Sequence, residues 1–393
     1  MGHEGAAEVV LIDGARTPHG ELLGSLTGVD SVELGRTAVD GLLDRVDLDP
    51  ESVEWVSLGN AIQAGIGQVP ARQVVVRSSL PDDTAVTTIN EASGSGVRAI
   101  CLAADRIAAG RIDVAVAGGF ESMTNAPWVL PGYRTGQRHG HVSAKDSMIL
   151  DSLWDMNLDV HMGEITEGLV ERESIDRESQ DAYALESHRL AAAAIDDGVY
   201  DDELVPVETP SGVVEQDEGP RPESTLEDLA SLRPAFARDG TITAGNASKL
   251  SDGAGAVLLA TAEAAEEAGI DAEFRLADYA VAYRPPDEFN EAVGDVVERL
   301  FERTDLTSDS IDAFWINEAF AAQSVYVMDR LEIPRDRMNP LGGAVAFGHP
   351  IGASGGMLAT SVRYQLENEG LDRALVGMSI GGGGAIMALI ERR

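Results

Sequence analysis

The chain has 393 residues, a hydrophobic fraction of 44% and a formal net charge of −38 at pH 7. Its length provides for two or three domains with a large core, and its composition is that of a globular protein rather than a disordered one. So acidic a surface repels nucleic acid and anionic membranes, and it favours adaptation to a salt-rich cytoplasm over the alternative, an acidic protein at ordinary salt.

Short apolar runs alternate with helical patterns along the chain. In chain order the runs are AEVVLIDGA (7–15), VEWVSLGN (53–60), IDVAVAGG (112–119) and ALVGMSIGG (374–382). This alternation predicts an α/β fold whose sheets are largely buried. No run approaches the roughly 18 apolar residues of a membrane span, and the N-terminus has no basic segment before an apolar one, so we predict a soluble, cytoplasmic protein.

Residues 93–110, SGSGVRAICLAADRIAAG, carry apolar side chains at helical spacing. Ser93 therefore lies at or just before a helix N-terminus. Cys101, the only cysteine, falls within this helix. A single cysteine can form no internal disulfide and no cysteine cluster for a metal, so no metal site is predicted.

Two distant segments share one plan. Each of 93–119 and 352–382 has a Gly/Ser turn, a helix rich in small residues, a glycine-containing loop and a strand that ends in Gly-Gly. The repetition indicates an internal duplication that brings the two turns together.

The region between the halves, 122–250, differs in character. It contains a basic patch, RTGQRHGHVSAKD (134–146), a helix-like stretch at 173–198 with a Ser or Asp cap and a closing glycine, and an acidic segment, VEQDEGPRPEST (214–225), typical of a surface loop. We interpret the region as an excursion from the first half.

Two glycine-rich stretches offer competing chemistry. GSGVRA (94–99) fits a loose dinucleotide-binding pattern, but no clear opening strand of a dinucleotide domain precedes it. GASGG (352–356) matches the nucleophile elbow of α/β-hydrolases, whose histidine must follow the serine. Since no histidine follows His349, the second interpretation fails on chain order.

A third constellation combines Ser93 with NEAF (317–320), GHP (348–350) and SIGGGG (379–384). A nucleophile at a helix N-terminus gains from the helix dipole, a nearby histidine can take its proton, and glycine-rich backbone can direct N–H groups at an oxyanion. Taken singly, each piece has an ordinary explanation as a helix cap, a packed histidine or a turn.

The chain nevertheless resembles the thiolases nearly from end to end. The segments that carry the resemblance, in family order, are ARTPHGELLGSL, GNAIQAGIGQVPARQ, AGGFESMTNAPW, HMGEITEG, TITAGNASKLSDGAGAV, NEAF, NPLGGAVAFGHPIGASG and SIGGGGAIMALIE. The resemblance implies an acetyl-CoA C-acyltransferase with a five-layer αβαβα sandwich of two duplicated halves and an inserted loop domain. We place the N-terminal half at 1–121 plus 251–271, the loop domain at 122–250 and the C-terminal half at 272–393.

The resemblance also implies roles for individual residues. Ser93 stands where thiolases have the acyl-accepting cysteine, and Ser379 where they have a second cysteine that acts as acid and base. His349 would activate residue 93, Asn317 would hold a water for an oxyanion, and Gly381 would donate a backbone N–H. Cys101 cannot replace Ser93, because eight residues along a helix is about 12 Å.

Both serines change the expected chemistry. A hydroxyl is a much weaker acid than a thiol and depends fully on its base, and thiolysis of an oxygen ester is harder than condensation. We therefore expect condensation to dominate. Because Ser379 is a poor base, His349 or His161 is a candidate for the α-proton, and the sequence does not choose between them.

Substrates and partners follow from the same resemblance. It implies acetyl-CoA and acyl-CoA substrates with no further cofactor, and it places His161, Met162, Ala247 and Ser248 at the substrate. The basic loop with Arg134, Arg138 and Lys145 would meet phosphates or another subunit. Acidic composition together with serine resembles the haloarchaeal two-component β-ketothiolases, which implies a small OB-fold partner besides a homodimer or tetramer.

Two alternatives remain at this point. One is a catalytically silent thiolase-fold subunit that binds acyl-CoA or a partner protein; the missing cysteines favour it and the intact NEAF and GHP oppose it. The other is a ketoacyl or hydroxymethylglutaryl synthase, which the order of NEAF, GHP and SIGGGG disfavours.

Overall fold

The computed structural model describes residues 7–393, so residues 1–6 of the predicted N-terminal half lie outside the described part. The strands are β1 (Val9–Arg16), β2 (Gly20–Glu21), β3 (Trp55–Gly59), β4 (Ala85–Ile89), β5 (Val114–Ser122), β6 (Trp128–Val129), β7 (Lys145–Asp146), β8 (Trp154–Asp155), β9 (Val160–His161), β10 (Val207–Thr209), β11 (Gly212–Val214), β12 (Ser251–Thr261), β13 (Phe274–Tyr283), β14 (Ala313–Ile316), β15 (Arg373–Ile380) and β16 (Gly384–Arg392). The helices are α1 (Ser31–Arg45), α2 (Pro70–Arg77), α3 (Ser95–Ala108), α4 (Met162–Glu173), α5 (Arg177–Asp196), α6 (Leu226–Ser231), α7 (Ala262–Glu267), α8 (Ala292–Thr304), α9 (Ala321–Leu331), α10 (Ala344–Phe347) and α11 (Ser354–Glu369). Within residues 7–393, no helix has both the length and the apolar character that a membrane crossing requires.

The main sheet repeats one strand order twice. Its path is β14-β15-β16-β13-β1-β12-β5-β3-β4, with β2 paired to β12. In each half the first strand pairs antiparallel with the last, β1 with β12 and β13 with β16. The last strand pairs antiparallel with β5 or β15, which in turn pairs parallel with β3 or β14. The predicted duplication is therefore confirmed.

Helices α3 and α11 lie between the two halves of the sheet, while α1 and α8 cover the outer faces. The alternation of a strand distributes its side chains over these layers. Val257 and Leu259 of β12 pack with the buried residues of α3 and α11, and Leu258 between them packs with α1. Strand β16 likewise distributes its side chains over two layers, and its Met387 packs with the buried residues of α8. The result is the five-layer αβαβα sandwich.

The excursion between β5 and β12 holds α4, α5, α6 and the paired short strands β6–β7, β8–β9 and β10–β11. The helix expected at 173–198 is α5, with Asp176 as its N-cap and Gly198 beyond its C-terminus at a φ of 68°. The surface loop expected at 214–225 is only partly exposed, because the Asp217 side chain is fully buried in an ion pair with Arg16. The domain bounds at 121, 250 and 271 stay predictions.

Candidate active site

Ser93 lies in a tight turn between β4 and α3. Ala92 adopts a left-handed φ of 47°, and the Ser95 hydroxyl fixes the turn by accepting from Glu91 N at 2.9 Å and donating to Ala92 O at 2.6 Å. The N-cap of α3 is Gly94, which caps without a side-chain hydrogen bond. The Ser93 hydroxyl is therefore not used as a helix cap, and it stands at the positive end of the helix dipole.

His349 meets this hydroxyl from the C-terminal half. Its Nε2 atom lies 2.9 Å from Ser93 Oγ, and its Nδ1 atom lies 2.6 Å from Ser354 Oγ at the start of α11. The His349 backbone N–H donates to Lys249 O at 2.9 Å. The preceding Gly348 has a φ of 112°, and a Cβ there would come within 2.5 Å of the Ser251 hydroxyl oxygen. The turn thus requires glycine directly before the histidine.

The electrostatic setting keeps His349 neutral. Burial, together with the nearby His19, lowers its pKa to about 3. A neutral ring that donates from Nδ1 to Ser354 Oγ has its lone pair on Nε2, facing Ser93. This is the geometry of a general base next to a hydroxyl nucleophile.

The buried carboxylate of Glu121, in the GGFESM segment, holds the histidine loop in place. It accepts from Ala61 N at 2.8 Å, Ile62 N at 3.3 Å and Gly352 N at 3.0 Å, and from the Asn60 side chain at 2.8 Å. Burial raises the pKa of Glu121 to about 7. Because Gly352 follows His349 by three residues, Glu121 ties the histidine loop to the end of β3.

A pocket of about 60 Å³ opens above the two residues. It brings together seven of the residues predicted from the sequence: Ser93, His349, Ser379, Gly381, His161, Met162 and Ser248. Of the remaining lining residues, Ala319 and Phe320 belong to NEAF, and Ile351 to the segment that contains GHP. Sequence reasoning had missed Ser152, Leu153 and Phe289, which belong to no motif, so only the fold could have placed them here.

Two predicted residues, Asn317 and Ala247, do not line this pocket. Asn317 follows β14, and its backbone N–H donates to Gly377 O at 3.0 Å; its buried Nδ2 atom has no hydrogen-bond partner among the described residues. Ala247 is buried and its backbone bridges that of Phe320, which lines the pocket. Cys101 is fully buried in α3, where burial raises the pKa of its thiol.

The three basic residues of the loop at 134–146 lie apart from the pocket. Arg134 and Arg138 are exposed, and Lys145 pairs with Val129 between β7 and β6. None of the three lines the pocket that contains Ser93.

The two histidines of the pocket differ in whether a ring nitrogen is free to accept a proton. His161 Nδ1 accepts from Gly163 N at 3.0 Å and caps α4, while the ring stacks on Phe236. Burial lowers the pKa of His161, so the ring is neutral and its proton is on Nε2. His161 can therefore donate a hydrogen bond into the pocket, but its acceptor nitrogen is already used.

Two protein-family models together match nearly the whole chain. The model described as "Thiolase, N-terminal domain" matches residues 9–263, and the model described as "Thiolase, C-terminal domain" matches residues 270–392. An acetyl-CoA acetyltransferase of Pseudomonas aeruginosa is 41% identical over 98% of this chain and 99% of its own length. A probable acetyl-CoA acyltransferase of Staphylococcus epidermidis is 38% identical over the same shares. The crystal structure of the Bacillus anthracis acetyl-CoA acetyltransferase superposes with a TM-score of 0.96 at 36% identity, with 100% of both chains covered.

Proposed function

Because the chain belongs to the thiolase family and is an acyltransferase, we propose that it condenses acetyl-CoA with acetyl-CoA or a short acyl-CoA to a 3-ketoacyl-CoA, with Ser93 as the acyl acceptor. The observation that carries the proposal is the 2.9 Å contact between Ser93 Oγ and His349 Nε2. The relatives named acetyl-CoA acetyltransferase support the acetyl substrate. A pocket of about 60 Å³, several times the roughly 10–15 Å³ that one water requires, has room for an acetyl group.

In the first half-reaction His349 Nε2 takes the Ser93 proton while the oxygen attacks the thioester carbonyl. The C–S bond breaks, the imidazolium returns the proton to the CoA sulfur, and an acetyl ester remains on Ser93. Gly381 supports an oxyanion hole here, since a Cβ on it would lie 4.0 Å from the Cβ of Ala92, next to the nucleophile. Backbone N–H groups placed where charge develops are the most effective donors.

The second half-reaction needs a base for the α-proton of acetyl-CoA. Ser379 is a poor base, and His161 has its acceptor nitrogen committed to Gly163. After acylation, His349 Nε2 is again neutral and free of the Ser93 proton. We assign the α-proton to His349, with His161 as a donor towards a substrate oxygen and Asn317, whose Nδ2 is unpartnered, as the holder of a water at the enolate oxygen. The enolate carbon then attacks the carbonyl of the acetyl ester, the C–O bond to Ser93 breaks, and the His349 imidazolium returns its proton to Ser93 Oγ.

The ester changes the relative rates of the two directions, whereas the overall equilibrium depends only on substrates and products. Attack of CoA on an oxygen ester is uphill, so this step is slow in the breakdown of 3-ketoacyl-CoA. We therefore expect a serine nucleophile to slow thiolysis more than condensation.

The composition supports a proposal about the cellular environment and the partner proteins. A net charge of −38 fits a salt-rich cytoplasm, and with Ser93 it fits the two-component type that works with a small OB-fold partner. Self-association as a homodimer or tetramer belongs to the same proposal. Ser248, which lines the pocket, would contact the pantetheine.

The test is turnover of acetyl-CoA by four proteins in high salt, with acetoacetyl-CoA measured by mass spectrometry. The unmodified chain and Ser93→Cys should form product, and Ser93→Ala and His349→Ala should not. Full activity of Ser93→Ala would refute the role of Ser93. An inactive parent chain with an active Ser93→Cys variant would instead identify a silent subunit whose site lost only its thiol.

A further inference from the structure

A second cavity lies beside His349 and is lined by its chain neighbour Gly348 and its hydrogen-bond partner Ser354. It has a volume of about 30 Å³, and its polar lining comes from Arg16, His19, Asn317, Ser354 and Ser361. A cavity needs roughly 10–15 Å³ and two to four polar partners to hold a water. This one has the volume, and its lining includes Ser354, whose hydroxyl bonds His349 Nδ1, together with His19 and Asn317, whose Nδ2 has no partner among the described residues.

His19 and Asp217 form a buried pair at the far side of the cavity. His19 Nδ1 lies 3.0 Å from Asp217 Oδ1, and the Asp217 side chain is completely buried. The Arg16 guanidinium also binds this carboxylate, at 2.7 and 2.9 Å. Despite burial, Arg16 and His19 hold the pKa of Asp217 well below its ordinary value. A carboxylate only accepts, so His19 donates from Nδ1, and because burial lowers the pKa of His19 its ring is neutral with the lone pair on Nε2.

We propose that a water in this cavity joins Ser354 Oγ to His19 Nε2, which makes His19 and Asp217 positioning residues for His349. The hydrogen bonds then run in one direction. Ser93 donates to His349, His349 to Ser354, Ser354 to the water, the water to His19, and His19 to Asp217. Only the Ser93 proton moves, to His349 Nε2, and it leaves with CoA.

This chain of hydrogen bonds from Ser93 to Asp217, which we call the relay, gives His349 the support that a serine nucleophile needs. In Ser-His-Asp enzymes a carboxylate orients the histidine and stabilises the imidazolium that forms. Among the described residues the direct partner of His349 Nδ1 is a hydroxyl, and the nearest carboxylate along this hydrogen-bonded path is Asp217. A thiol is more acidic than a hydroxyl and depends less on this support. The inference rests on the proposed function, because it concerns activation of Ser93.

The kinetic test uses His19→Phe, which keeps a ring to stack on Phe347, 5.4 Å away in the parent chain. Acetylation by acetyl-CoA is timed with Ser93 and with Ser93→Cys as the nucleophile. The relay predicts a loss of about tenfold with serine and less than about twofold with cysteine. His19→Gln, whose amide can donate to Asp217 and accept from the water, should recover part of the loss with serine. Equal losses in both backgrounds, at unchanged melting temperature, would show a merely structural role and overturn the proposal.

A structural measurement separates this inference from the proposed function. A high-resolution crystal structure of the unmodified chain should show an ordered water within hydrogen-bond distance of Ser354 Oγ and His19 Nε2. A dry cavity, or a His19 ring turned away from it, would refute the relay even if Ser93 is acylated. If the parent chain is never acylated, the proposed function fails, and the water site alone decides the relay.

Discussion

Replacing Ser354 by alanine removes the hydroxyl 2.6 Å from His349 Nδ1 and should slow acylation of Ser93. In the ground state His349 is neutral, whereas in the transition state it carries the proton of Ser93. A hydrogen bond to a charged group is worth about 1.5–3 kcal/mol. At about 1.4 kcal/mol per factor of ten, the loss is about 10- to 150-fold in the acylation rate. The rate of CoA release in the first turnover, followed with a thiol reagent, measures it directly.

Thr360→Val is the matched control for this prediction. Thr360 is also buried in α11, less than two turns further along, but its hydroxyl donates to Gly356 O at 3.0 Å, and it lines neither of the two cavities. It should lose stability as Ser354→Ala does, with a much smaller change in acylation. An unchanged acylation rate in Ser354→Ala, or an equal fall in both variants, would refute a role of Ser354 in holding the base.

Further predictions concern the base, the histidine loop and the charge. In Glu121→Gln, which removes the carboxyl with a pKa of about 7, the acylation rate should be independent of pH from about pH 5 to about pH 8, because the His349 pKa of about 3 keeps the base neutral there; an inflection near the ordinary histidine value of about 6.5 would contradict this. Gly352→Ala should lose about 1–3 kcal/mol in urea unfolding, since its Cβ would meet Ala61 N, Asn60 Cα and Glu121 Oε2, all at 2.8 Å; Gly168→Ala in α4, whose Cβ meets only a flexible arginine side chain, should lose none, and equal losses would exclude the steric cause. The melting temperature should rise from about 0.1 M to about 1 M salt as the screening length falls from about 10 Å to about 3 Å; a flat response would show that self-repulsion is unimportant.

Much of the fold follows from local patterns in the sequence. The Gly/Ser turn, helix and strand that recur at 93–119 and 352–382 became α3–β5 and α11–β15, which occupy equivalent places in the two halves. The loop at 214–225 escaped this reasoning. Its acidic residues are typical of surface, but Asp217 is buried by a partner, Arg16, some 200 positions away in the chain.

In the candidate site too, sequence motifs locate some residues and not others. Ser93, His349 and Ser379 could be placed from motifs, because chemistry restricts which residue types stand there. Ser354, Glu121 and His19 could not, since a serine, a glutamate or a histidine gives no signal of the nitrogen it will bond. Their roles depend on contacts such as that between Glu121 and Gly352, 231 residues apart. The tautomer of His161 likewise depends on a contact in the fold, the hydrogen bond that its Nδ1 atom accepts from Gly163 N at the start of α4.

The most direct test of the account is peptide mass spectrometry of the unmodified chain after brief incubation with acetyl-CoA in high salt, with and without a small OB-fold partner. The account predicts a mass increase of one acetyl group on the peptide that contains Ser93, absent in Ser93→Ala and chased by further acetyl-CoA as acetoacetyl-CoA forms. An acetyl group on another residue, or turnover without any acyl-enzyme at Ser93, would contradict it.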